Sequence, residues 1–133
     1  MSVQSAVRAG RRAAESLMSA TVSVRRYTGE TTMDDLGVET ALFDVVYEGK
    51  ARLHGNGGMA SVVDVGSGAR PVLDRHVYFP VGSFVPRVGD EVHVISDRDN
   101  PYNAGRVLSL KENAPIRSQE TAYRVWASEV VNG

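Results

Sequence analysis

At 133 residues, with 42% hydrophobic and 23% charged side chains, the chain suits one domain with a sizeable core and not a disordered, collagenous or membrane class. It contains no cysteine, which excludes disulfide frameworks, thiol catalysis and thiolate metal sites. The formal charge of −1 hides an asymmetry: residues 1–26 carry five arginines against the single acid Glu15, a local +4, leaving −5 on the remainder.

No apolar run approaches the roughly twenty residues that a membrane-spanning helix needs, so no membrane partner is expected. The first twenty residues lack the continuous apolar segment of a secretory signal. They read instead as a helix over residues 2–19, with Ser2 as N-cap. Val3, Ala6, Val7, Gly10, Ala13, Ala14 and Leu17 fall on one stripe at three- and four-residue steps. That stripe is mostly small residues, so the helix can lie close to a surface but buries little area alone. It needs a partner, either the rest of the chain or a neighbouring subunit. Arg8, Arg11, Arg12, Arg25 and Arg26 are the candidate contacts to a subunit or an acidic neighbour.

Residues 21–27 form a β-branched run, followed by a polar loop or loose hairpin through Asp34, Asp35 and Gly37. Residues 43–54 give the strongest strand signal. Phe43, Val45, Tyr47, Ala51 and Leu53 alternate with Asp44, Glu48, Lys50, Arg52 and His54, and Val46 is the exception. Gly49 suggests a bulge that curves the sheet. Residues 54–69 are rich in glycine around Val62, Val63, Asp64 and Val65, and read as a long loop between strands. Another strand covers residues 70–79. Pro80 and Pro86 frame a turn into three C-terminal strands near residues 88–95, 106–110 and 123–131. About six strands and one helix predict a mainly β fold, a small antiparallel barrel spanning residues 1–133 as one domain.

A search for chemistry finds none. His54, His76 and His93 sit at no metal-ligand spacing. The run Asp97-Arg98-Asp99-Asn100 fails as a calcium loop: Pro101 takes the fifth position, Tyr102 the place of the required glycine, and Leu108 that of the final glutamate. It reads as an Asx-type turn. Gly55-Asn56-Gly57-Gly58 lacks the lysine and following helix of a phosphate loop. Tyr47, Tyr78, Phe79 and Trp126 are expected in the core because each lies in an alternating strand, although the same residues would serve as stacking platforms for single-stranded nucleic acid. No catalytic residue, cofactor or metal site is expected, and the chain is not expected to be an enzyme.

Taken in order, several segments resemble the head-to-tail stopper, or head-completion, proteins of long-tailed bacteriophages, especially those of actinobacterial phages. They are the N-terminal helix leading into Thr21-Val22-Ser23-Val24-Arg25-Arg26-Tyr27-Thr28-Gly29-Glu30, the strand ending Val46-Tyr47-Glu48-Gly49-Lys50-Ala51-Arg52, and Pro86-Arg87-Val88-Gly89-Asp90-Glu91-Val92. Asp99-Asn100-Pro101-Tyr102-Asn103-Ala104-Gly105-Arg106-Val107 and the last strand complete the set. The resemblance spans nearly the whole chain and rests on the order of these segments, each of low specificity alone.

It implies a virion neck protein, made in the host cytoplasm, that forms a homo-oligomeric ring of six or twelve copies below the portal or adaptor ring. Such a ring retains packaged DNA, which it meets by proximity and not by sequence, and docks a tail-terminator or tail-tube protein. It further implies that the 54–69 loop projects into the channel as a plug, carried by Gly57, Gly58, Met59, Val62, Val63, Asp64, Val65 and Gly66. Two alternatives stand beside it: an OB-like barrel binding single-stranded nucleic acid, and a tail-terminator or minor tail ring protein.

Overall fold

The computed structural model describes residues 2–65, 68–113 and 120–130, and the backbone alone for 55–65, 68–74 and 130. In chain order the elements are helix α1 (Val3–Ser16), strands β1 (Ala20–Met33), β2 (Glu39–Val65), β3 (Gly68–Phe79) and β4 (Glu91–Asp97), a 3-10 turn at Pro101–Asn103, and strands β5 (Val107–Leu110) and β6 (Tyr123–Val130).

Ser2 caps α1 as expected, its Oγ accepting from the Ser5 amide at 3.1 Å. The helix ends at Ser16, before residue 19, because Ser19 belongs to the barrel: its Oγ donates to Asp97 Oδ1 at 2.6 Å. No residue of α1 is buried. Contacts among the described residues hold it on the outer wall. Arg11 Nε donates to the Glu120 carbonyl at 2.9 Å, Glu15 pairs with Lys50 at 3.0 Å, and Gly10 lies so close to Thr121 that a Cβ there would come within 2.7 Å of Cγ2.

The strands form one antiparallel sheet in the order β1-β2-β3-β6-β5-β4, and β4 returns to pair with β1, closing it. The mainly β barrel with an N-terminal helix is therefore the observed fold. Its interior is filled. Val22, Val24, Ala51, Val77, Phe79, Val92, Leu108, Leu110, Val125 and Ala127 point inward and are essentially inaccessible. Six strands enclose only enough space for side chains, so the barrel is a solid core and not a conduit.

Curvature comes from a device three residues away from the expected one. Val24 pairs with Tyr47 and Arg25 with Val45, so Val46 is the extra residue of a bulge in β2. The break in alternation at Val46 was its signature. Gly49 remains in register with Val22, and its missing side chain serves packing: a Cβ there would lie 2.7 Å from Tyr47 Oη. Tyr47 stacks on Phe84 at 5.1 Å, and both meet Phe79 edge-on, capping one end of the core.

The expected loop at 54–69 is the largest departure. Residues 54–65 continue β2, and 68–69 open β3. The two strands form a ladder from Arg52↔Tyr78 to Val65↔Gly68, interrupted between Gly55 and Ala60. Glycines that read as loop formers sit largely in that interruption, and the valines beyond it supply ordinary strand propensity. Phe43 and Val45 are also displaced from the expected core face and are exposed, because the extra residue Val46 reverses the alternation and, past Arg25↔Glu91, β1 and β2 run on without β4.

Candidate functional site

β2 is 27 residues long, about 90 Å of extended chain at 3.3 Å per residue. Only its middle belongs to the barrel. Below residue 46 it pairs with β1 alone, since the β1–β4 ladder stops at Arg25↔Glu91. Above residue 54 it pairs with β3 alone, and among the described residues β6 follows β3 as far as Val72↔Val130. One strand thus feeds two hairpin arms that leave the barrel from opposite ends.

The first arm carries Tyr27–Phe43 pairing at its root, with ring centroids 5.7 Å apart, and a turn at its tip. Asp34 makes that turn. Its Oδ1 accepts from Leu36 N and Val38 N at 2.9 Å each, and Gly37 takes the positive φ the turn requires. A second irregularity, between Tyr27 and Thr31, places Gly29 at φ 86°. Met33, Leu36, Val38, Leu42 and Phe43 are all exposed, Leu36 at 88%.

The second arm contains the residues expected to form a plug. Val62, Val63, Asp64 and Val65 pair with Pro71, Arg70, Ala69 and Gly68, so one edge of this part of β2 is engaged within the hairpin, and the β1 ladder on its other edge ends at Ala51. Gly57, Gly58 and Met59 fall in the interruption of the ladder, and Gly66 lies outside the described residues.

Between the arms, the outer wall brings together residues that the sequence scatters. Arg52, Tyr78 and Arg124 lie side by side on β2, β3 and β6, and His54, His76 and Trp126 form the next row. The Arg52 guanidinium sits 5.5 Å from the Tyr78 ring centroid, His54 meets Tyr78 edge-on at 6.4 Å, and Arg124 Nη2 lies 3.3 Å from His76 Nε2. Trp126 is 42% exposed and Tyr78 half-buried, whereas Tyr47 and Phe79 belong to the core. The expectation of four core aromatics therefore fails for Tyr78 and Trp126, whose strand phase points them outward. The signal was present as three i, i+2 pairs: Arg52/His54, His76/Tyr78 and Arg124/Trp126. A cavity of about 350 Å³ between this wall and α1 is lined by Ala14, Leu17, Arg52, Tyr78, Thr121 and Arg124, among others.

Polar groups secure both ends of the barrel. At the first-arm end Arg26 donates through Nε and Nη2 to Asp90 at 2.9 and 2.8 Å, and the Arg87 amide donates to the same carboxylate. This hydrogen bond raises the Arg26 pKa against the lowering effect of burial, with the Asp90 charge adding to it. Arg26 is thus committed to the fold and is not a free contact residue. At the second-arm end Glu129, buried, accepts from Arg106 Nη1 at 3.0 Å, with Arg75 Nε at 3.5 Å. Nearby, burial pushes the Asp97 carboxyl up. Donors from Ser19, Asn103 and the amides of Asp99 and Asn100 outweigh that and hold it below the ordinary aspartate value. The calcium-like run is therefore the expected Asx turn, with Asp97 bonding inward.

Of the other candidate contacts, Arg8, Arg12 and Arg25 are exposed, and Arg8 and Arg11 line a groove of about 400 Å³ along α1 with Val3, Gln4 and Val7. Among the described residues no three His, Asp or Glu side chains converge on a metal position, and no helix is long and apolar enough to cross a membrane. No curated protein and no solved structure matches the chain. A family model does match, across residues 10–128, which includes the second half of α1 and nearly the whole barrel; the chain belongs to that family, a family of unknown function designated DUF6093.

Proposed function

We propose that this protein is a structural component of a phage particle, a head-to-tail stopper that assembles as a ring below the portal or adaptor and retains packaged DNA. The observation that carries this reading is β2, which runs through a closed barrel and extends beyond both ends into hairpin arms. A ring subunit between two neighbours needs reach in two directions from a rigid body, and a filled six-stranded barrel is such a body. Because the barrel interior is occupied, the channel lies between copies, and the second arm is the segment suited to close it. The test is a particle lacking this chain. Heads that fill with DNA and then lose it support the stopper. Stable filled heads with tails of abnormal length assign the chain to a tail-terminator ring instead.

The wall bearing Arg52, Tyr78, Arg124, His54, His76 and Trp126 favours a second reading, a barrel that binds single-stranded nucleic acid by stacking and charge. That reading expects oligonucleotides to quench Trp126 fluorescence with an affinity that falls steeply with salt, and Arg124→Ala to weaken it. The stopper reading expects no measurable quenching by free oligonucleotide.

A further inference from the structure

Among the described residues nothing covers the first arm or the groove along α1, and the chemistry of the two is opposite. Residues 27–44 carry Glu30, Asp34, Asp35, Glu39 and Asp44 with no lysine or arginine, around an apolar surface of Tyr27, Met33, Leu36, Val38, Leu42 and Phe43. α1 presents Arg8, Arg11 and Arg12, while its one acid, Glu15, is paired with Lys50. Its apolar side is equally bare: Val3 and Leu17 are exposed and Val7 is only half-buried beside the groove.

We infer that the acidic, apolar first arm of one copy docks into the basic, apolar groove along α1 of the next copy. The inference rests on the ring reading and names its interface. Two different surfaces of one chain that fit each other make a head-to-tail contact, the kind that closes into a ring when the rotation between copies allows. The arm spans roughly 30 Å from Arg25 to Met33 at strand rise, enough to cross to an adjacent barrel. Apolar contact supplies affinity, and the opposed charges orient the arm and reject the arm–arm and helix–helix pairings. The five acids disfavour an anionic membrane as occupant of the arm, and the matching cations lie on the same polypeptide.

The experiment is a charge exchange on the full chain, read by sedimentation and by mass from light scattering. An arm variant carries Glu30→Lys, Asp35→Lys and Glu39→Lys, which takes the arm from −5 to +1, and a helix variant carries Arg8→Glu and Arg12→Glu, which takes the three helix arginines from +3 to −1. Asp34, which builds the turn, and Arg11, which holds α1 to Glu120, stay unchanged. The wild-type chain is expected to form oligomers and each variant alone to lose them, with unchanged circular dichroism. An equimolar mixture of the two variants is expected to reassemble, since each arm then meets a groove of opposite sign, and a chain carrying all five substitutions is expected to assemble by itself. Oligomers that persist undiminished in either variant, or a wild-type chain that stays monomeric at every concentration, overturn the inference. The ring reading itself falls on a separate observation, a particle neck without this chain.

Discussion

Asp97 illustrates how a residue that looks like a ligand can be an anchor. Its two oxygens take four donors, from Ser19 on the connection out of α1, from Asn103 in the 3-10 turn, and from the amides of Asp99 and Asn100. The folded carboxyl titrates below its unfolded value of about 3.9. Its stabilisation is therefore fully present above pH ~3.9 and is lost as the pH falls through the lower, folded value. Asp97→Asn is expected to cost about 1–3 kcal/mol at neutral pH, because one amide face meets the Asn103 amide donor and cannot accept from it. The gap between variant and wild type is expected to narrow in acid, as the wild-type carboxyl itself protonates. Urea unfolding of both proteins from neutral pH down to pH ~2.5 checks this, and a constant gap would assign the cost to shape instead of charge.

At the scale of elements, the hairpins separate cleanly from the barrel. Among the residues whose side chains are described, the buried core draws on β2 between Val46 and Leu53 and otherwise on other strands. Replacing residues 57–72 by a short turn that preserves the Gly55↔Arg75 pair is therefore expected to leave the melting temperature within a few degrees of wild type, since every described core side chain is kept. On the proposed stopper reading, a particle assembled with this shortened chain is expected to dock its tail but to leak DNA. Sealed heads would take the closing role away from the second arm. The sequence made this hairpin hard to see. Period-two alternation fails where glycines interrupt the ladder, and two strands that pair only with each other gain no buried face to pattern. The first arm was legible only as a polar loop or loose hairpin for a related reason: with both faces wet among the described residues, its polar and apolar residues leave no buried face to pattern.

Across the whole molecule, what was legible was what the core dictates. Strand number, the closing of the sheet, the capped helix and the Asx turn each leave a local mark in inward-pointing valines, Ser2 or Asp97. The row arrangement of Arg52, Tyr78 and Arg124 left none that spacing along the chain reveals, because it depends on which strands are neighbours and at what register. His54 and His76, 22 positions apart in sequence, are direct cross-strand partners for the same reason.

That a single strand serves both hairpins has a mechanical consequence. Tension applied between the two tips runs along the covalent backbone of β2, through the barrel, without crossing a loop or a hinge. In an antiparallel pair the hydrogen bonds stand perpendicular to that direction, so the ladders to β1 and β3 are loaded in shear and share the strain among many bonds at once. The solid interior adds resistance to crushing from the side. Such a barrel behaves as a stiff rivet between the two tips.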